Sequence, residues 1–277
     1  MNMIPECRLN NGVDIPILGL GLYKTTGPGE MHIAVTEALK AGYRLFDTAE
    51  LYENEALLGA ELEAFGIPRS ELFITSKLIM DSMSHDKAIK AFEQSLRDLR
   101  TDYLDLFLIH WPGQQKERLL DTWKALEELY LAGKVRAIGM SNFLIRHMDW
   151  ILESCSVPPV LNQKEHNPLF SEPELYEFCR KNDIKVQSWS PLMRGALSDP
   201  LITGLSEKYG KTPAQIVLRW HIDEGFLAVP KSVHGDRIRE NADIFDFSLE
   251  KEDLLAIDGM NKRKSSSLTR DPETYDF

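Results

Sequence analysis

Eight short runs rich in branched and aromatic residues recur along the chain: Ile17–Leu22, Arg44–Asp47, Leu72–Lys77, Leu104–His110, Val135–Ser141, Val160–Gln163, Lys185–Trp189 and Leu227–Lys231. Between them the apolar residues recur at helical spacing. In Ser84–Arg100 one face carries Ile89, Phe92, Leu96 and Leu99; in Lys116–Ala132 it carries Leu119, Trp123, Leu126 and Tyr130. Strands alternating with amphipathic helices mark repeated βα units on a parallel sheet, and eight of them predict an α/β fold, an (α/β)8 TIM barrel.

The punctuation agrees. Gly42, Gly66 and Gly133 stand where helices should end, because a left-handed C-cap favours glycine. Ser171-x-x-Glu174 and Thr212-Pro213-x-Gln215 both match a capping box at a helix start. Cys7–Asn10 and Val13–Ile15, around Asn11-Gly12, read as a β-hairpin ahead of the first barrel strand, placed to plug the barrel floor. No linker divides the chain, which is expected to form one domain over residues 1–277, with an irregular tail over Asn261–Phe277.

Composition narrows the function classes. Forty-three acidic residues against 32 basic ones leave a net charge of −11, which opposes attachment to nucleic acid or to an anionic membrane surface. With 43% hydrophobic residues the chain can bury a sizeable core. Met1–Arg8 lacks the positive stretch and apolar run of a secretory signal, and no run is long enough to span a membrane, so a cytoplasmic protein is expected; a monomer is the expected state. Cys7, Cys155 and Cys179 are far apart and without metal-ligand spacing, so no metal site is expected.

The chemistry gathers at one end of the strands. Asp47, Lys77, His110, Ser141-Asn142, Gln163, Trp189 and Lys231 each close a hydrophobic run at its C-terminal end, the face on which barrel enzymes build active sites. Asp47 is followed five residues later by Tyr52. An ammonium beside a phenol favours the phenolate, so Lys77 is expected to lower the Tyr52 pKa, with Asp47 balancing Lys77 and His110 orienting a carbonyl oxygen. Each residue also has an ordinary reading: a salt bridge for Asp47 and Lys77, a half-buried Tyr52, a core histidine for His110. Gly19-Leu20-Gly21 does not open a Rossmann motif, because Lys24 occupies the third glycine position.

Taken together, Gly19-Leu20-Gly21-Leu22-Tyr23, Asp47-Thr48-Ala49 with Tyr52, Thr75-Ser76-Lys77, Leu108-Ile109-His110-Trp111-Pro112, Gly139-Met140-Ser141-Asn142-Phe143, Asn162-Gln163-x-Glu165, Ser188-Trp189-Ser190-Pro191-Leu192 and Val229-Pro230-Lys231-Ser232 with Arg237 and Glu240-Asn241 resemble the aldo-keto reductase superfamily. The short Pro112–Gln115 stretch is similar to the bacterial branch of glyoxal/methylglyoxal and 2,5-diketogluconate reductases. The resemblance implies an NADPH-dependent carbonyl reductase with Asp47, Tyr52, Lys77 and His110 as its tetrad and Tyr52 as proton donor.

It further implies that NADPH/NADP+ is held by Gly21, Leu22, Asp47, Ser141, Asn142, Gln163, Trp189, Ser190, Leu192, Lys231, Ser232, Val233, Arg237, Glu240 and Asn241. Tyr23, Tyr52, Ile79, His110 and Trp111 would face a small carbonyl substrate. Two departures fall near the expected pocket: Ile79 where the family commonly has tryptophan, and Asn167 where it has histidine. With the short Pro112–Gln115 loop, Ile79 suggests an open mouth walled by Tyr23 and Trp111. Two other functions share the pattern: a slow NADPH-binding regulatory module of the same fold, and a barrel aldolase using Lys77 as a Schiff base.

Overall fold

A computed structural model describes residues 3–192, 197–263, 265 and 271–276. The first elements are β1 (Glu6–Arg8) and β2 (Asp14–Pro16), antiparallel with Cys7 opposite Ile15. Their turn closes through the Leu9 N–H on the Val13 carbonyl at 2.9 Å, with Gly12 at φ +86°. The tip of this hairpin is tied to the barrel. Asn10 Nδ2 donates to the carbonyls of Pro159 and Asp183, and Asn11 Nδ2 to that of Arg136, all at the N-terminal ends of barrel strands.

Eight parallel strands follow: β3 (Leu20–Gly21), β4 (Leu45–Asp47), β5 (Phe73–Leu78), β6 (Leu104–Ile109), β7 (Val135–Ser141), β8 (Leu161–Glu165), β9 (Lys185–Trp189) and β10 (Leu227–Ala228). Around them lie α1 (Pro28–Lys40), α2 (Glu55–Phe65), α3 (His85–Asp98), α4 (Lys116–Leu131) and α5 (Ile145–Leu152). The second half adds α6 (Pro173–Lys181), α7 (Pro200–Tyr209), α8 (Pro213–Asp223), α9 (Gly235–Ala242) and α10 (Lys251–Asp258).

Strands pair in chain order from β3 to β10, and parallel bridges from Leu18 to Ala228 and from Gly21 to Lys231 close the sheet into an (α/β)8 barrel. Gly21 permits that closure, since a Cβ there would stand 2.7 Å from the Val229 carbonyl oxygen.

Strand alternation separates two cores. Leu45, Phe73, Leu106, Leu108, Ala137, Leu161, Leu227 and Val229 point into the barrel, where Leu9 and Ile15 of the hairpin cover them from below. Their neighbours Phe46, Ile74, Phe107, Ile138, Met140, Val186 and Ala228 point outward against Phe92, Leu96, Trp123 and Leu126 of the helices.

Gly66, at φ +77°, caps α2 as expected, and Thr212 caps α8 with Gln215 returning the bond. The other expected capping box does not form. Because Pro173 begins α6, Ser171 lies outside the cap position; its backbone is bonded instead to Asn261, and Glu172 pairs with Lys164 at 2.8 Å. Among the described residues no helix is long and apolar enough to cross a membrane.

Candidate active site

The same alternation that packs the barrel interior builds the site. Two residues beyond inward Leu45 comes Asp47; beyond Phe73 and Thr75 comes Lys77; beyond Leu106 and Leu108 comes His110. Ser141 follows Ala137 and Gly139 on the same face, Gln163 follows Leu161, Trp189 follows Gln187, and Lys231 follows Leu227 and Val229. Except on β9, whose inward row is Lys185, Gln187 and Trp189, each inward row is apolar towards the floor and polar at the C-terminal rim, and barrel closure brings the polar ends around one point.

Lys77 is fully buried, and its Nζ donates to Asp47 Oδ1 at 2.6 Å, to the Thr48 carbonyl at 2.8 Å and to Tyr52 Oη at 3.4 Å. Burial, the largest single influence, disfavours the ammonium, but the charges and hydrogen bonds of Asp47 and Tyr52 together outweigh it and hold the Lys77 pKa above the ordinary lysine value. A Schiff-base lysine must be free to lose its proton, so this environment disfavours aldolase chemistry.

Tyr52 reverses one expectation. Burial pushes the phenol above the usual tyrosine range, and although the Lys77 ammonium pulls it down, burial wins. Tyr52 therefore keeps its proton at neutral pH.

Tyr52 ends a short 3-10 turn, Glu50–Tyr52, after which Glu53 takes a left-handed conformation at φ +53°. Asn54 holds that loop against the barrel: its Oδ1 accepts from Thr48 Oγ1 at 2.6 Å, and its Nδ2 donates to the carbonyls of Leu22 and Thr25. Glu50 reaches the next loop, accepting from the Ile79 N–H and from Ser82 Oγ, both at 3.0 Å. The ring of Tyr52 meets His110 edge-on at 5.7 Å and Tyr23 at 5.2 Å.

On the opposite side of the rim, Gln163 Nε2 donates to Asp47 Oδ2 and to Gln187 Oε1, each at 2.7 Å. Both amide protons are then used, which leaves Gln163 to act towards a ligand only as an acceptor. Asn142, at φ +63°, turns its side chain back so that Nδ2 meets the His110 carbonyl and Ser141 Oγ, while Oδ1 accepts from Trp189 Nε1 at 3.0 Å. Ser190, next along, is also left-handed.

The remaining expected cofactor positions lie elsewhere on the rim. Leu22 is buried and its N–H is bonded to Asp47, and Leu192 packs against two apolar clusters. Ser232, Val233, Arg237, Glu240 and Asn241 lie on the turn and helix α9 after β10. Lys231 and Arg237 are exposed and, among the described residues, pair with no carboxylate, whereas Arg239 is held by Glu37 and Asp236. Glu240 receives Thr212 Oγ1 at 2.7 Å and so also joins α9 to α8.

A cavity of about 180 Å³ opens beside His110, lined by Leu51, Ile79, Met80, Asp81, Trp111 and Tyr275. The expected open mouth is therefore walled on one side: Tyr275, from the C-terminal tail, packs edge-on against Trp111 at 5.2 Å. Tyr23 lies outside this cavity lining, on Tyr52. Asn167 is not at the cavity either. Its Oδ1 accepts from the Leu169 and Phe170 amides, a turn that an asparagine side chain closes well. Sequence reasoning missed Gln187, Glu50 and Tyr275. A polar residue at an inward strand position signalled the first, and nothing local signalled the last.

Comparison with known proteins places this geometry. The model of the Aldo/keto reductase family matches residues 18–262. "Glyoxal reductase" of Bacillus subtilis (strain 168) is 45% identical over 256 residues, 92% of each chain. "Methylglyoxal reductase DkgA" of Yersinia pestis is 41% identical over 278 residues, 99% of each chain. Among solved structures, a Gox0644 mutant in complex with NADPH superposes with a TM-score of 0.93 at 42% identity, covering 100% of each chain.

Proposed function

The chain belongs to the aldo/keto reductase family, and from that premise we propose that it reduces small carbonyl compounds with NADPH, taking 2-oxoaldehydes such as methylglyoxal or keto sugars to alcohols. The observation that carries this reading is the buried Asp47–Lys77 pair with the Tyr52 hydroxyl 3.4 Å from the lysine.

The residues present fit the cofactor. Trp189 offers a half-buried indole face at the rim, Gln163 an amide whose remaining capacity is acceptance, and Lys231 and Arg237 two exposed cations for a phosphate group in an acidic chain. Gly21, Leu22, Asp47, Ser141, Asn142, Ser190, Leu192, Ser232, Val233, Glu240 and Asn241 complete the proposed cofactor contacts. When bound, NADPH supplies the hydride.

The protein's own residues handle the oxygen and the proton. The substrate carbonyl enters between Tyr52 and His110, with Tyr23, Ile79 and Trp111 beside it. His110 orients its oxygen, and as negative charge develops there the Tyr52 O–H bond breaks and the proton passes to that oxygen. Lys77, kept charged by Asp47, stabilises the phenolate left behind until solvent returns a proton.

Changing Tyr52→Phe removes the donor and leaves the cofactor contacts. Turnover of methylglyoxal should fall by roughly 10²–10⁴-fold, while NADPH binding, read by tryptophan quenching, stays at the wild-type value. Near wild-type turnover in that variant assigns the proton to another group.

A further inference from the structure

The tail segment 271–276 lies about 160 residues beyond the loop after β6, yet the two are joined by a dense set of contacts. Gln114 in that loop is bonded on three sides. Its backbone N–H donates to Asp276 Oδ1 at 3.2 Å, its Nε2 donates to the carbonyls of Pro272 and Tyr275 at 3.0 and 3.3 Å, and its Oε1 accepts from Arg146 Nη2 at 3.0 Å. Arg146, in the first turn of α5, also donates to the Glu273 carbonyl at 3.2 Å and forms an ion pair with the Glu273 carboxylate. The result of this clasp is that Tyr275 stands against Trp111, next to His110, on the wall of the cavity.

We propose that Gln114 and Arg146 are positioning residues for substrate choice: by clasping the segment 271–276 they hold Tyr275 as the outer wall of the carbonyl pocket and exclude bulky substrates. This rests on the reductase reading of the pocket. The segment forms no helix or strand; beyond its own turn bonds to Asp271 and the packing of Tyr275 on the main apolar cluster, the Gln114 and Arg146 contacts tie it to the barrel. Ordering six residues consumes more backbone entropy than one partly exposed ion pair returns, and the anchors must therefore act together. Losing either Gln114 or Arg146 frees the whole segment. Small 2-oxoaldehydes need little of the wall that Tyr275 forms, whereas an aromatic aldehyde meets it directly.

The test compares Arg146→Met and Gln114→Ala with the wild-type protein in two assays. Hydrogen exchange should speed up at residues 271–276 in both variants. The ratio of kcat/KM for a bulky aromatic aldehyde to that for methylglyoxal should rise about three- to tenfold, mostly through KM, with NADPH binding unchanged. Tyr275→Ala should give the same ratio, and adding Arg146→Met to it should change nothing further, because the two act through one element.

Unchanged exchange in Arg146→Met overturns the clasp. Faster exchange with an unmoved ratio, or additive effects in the double variant, overturns its role in substrate choice. Absence of carbonyl-dependent NADPH oxidation in the wild-type protein would instead sink the reductase reading, with the exchange data still deciding whether the clasp exists.

Discussion

Replacing Asp47 by asparagine isolates the group on which the rest of the site depends. The carboxylate accepts from Lys77 through Oδ1 at 2.6 Å and from Gln163 through Oδ2 at 2.7 Å, and the side chains of Asp47 and Lys77 are 4% and 0% exposed. Asparagine has one oxygen, so its amide N–H2 must confront either the Lys77 ammonium or the Gln163 amide, donor against donor. Removing one member of a buried pair typically costs about 3–5 kcal/mol.

An upper bound comes from Lys77 itself, which can escape by losing its proton. From an unfolded pKa of ~10.4, deprotonation at pH 7 costs about 4.6 kcal/mol at ~1.36 kcal/mol per unit. The two figures are close, so loss of the partner draws the Lys77 pKa in the variant well below its unfolded value. A lysine whose folded pKa is depressed binds fewer protons folded than unfolded, so stability rises with pH in that window. In the wild-type protein the Lys77 pKa is raised, and its contribution is constant until pH passes the unfolded value.

Urea unfolding of Asp47→Asn should accordingly show a deficit of about 3–4 kcal/mol at pH 7 that shrinks towards pH 9.5. Methylglyoxal turnover at pH 7 should drop roughly 10²-fold, because a neutral Lys77 no longer stabilises the Tyr52 phenolate. A deficit below about 1 kcal/mol, or one that is flat from pH 7 to 9.5, refutes the account of the buried pair.

Two further outcomes follow from groups outside the tetrad. His221 is buried between the carbonyls of Val217 and His166, and burial pushes its pKa down to about 4. Its folded pKa is depressed, so its contribution is present above about pH 6.5 and is lost as pH falls towards 4, by about 3 kcal/mol in all. Relative to wild type, His221→Gln should show a shallower loss of stability between pH 6.5 and 4 in urea titrations, and equal slopes would exclude His221 from the acid transition. At the other end of the rim, Arg237→Ala should weaken NADPH by roughly ten- to a hundredfold, the worth of one charged hydrogen bond. NADH binding should barely change; equal losses for both cofactors would show that Arg237 acts through the shape of α9 and not on a phosphate.

How much of this was legible beforehand follows from the range of each interaction. Local pattern reported local structure: the eight strands, the amphipathic faces of α3 and α4, the Gly66 cap, the Thr212 box and the hairpin at Asn11-Gly12 all appear where the residues predict them. Boundaries moved where a neighbour intervened, as at Ser171, displaced from its cap by Pro173 and held by Asn261. That Asp47, Lys77 and His110 reach the rim was also readable, because a polar residue ending an alternating strand has only the rim to occupy.

What the chain order could not contain was the balance of environments. Lys77 was expected to lower the Tyr52 pKa, and it does pull that way, but the burial that outweighs it exists only once the Asn54-braced loop folds over the rim. Nor does local pattern carry any trace of Tyr275 on Trp111. That contact joins two irregular segments far apart in sequence, and it is decided by Gln114 and Arg146 meeting the tail in space. Residue type and spacing determined which chemistry the barrel rim could hold. Closure of the sheet and the tail laid beside it decided how strongly each group keeps its proton, and how much room a substrate has.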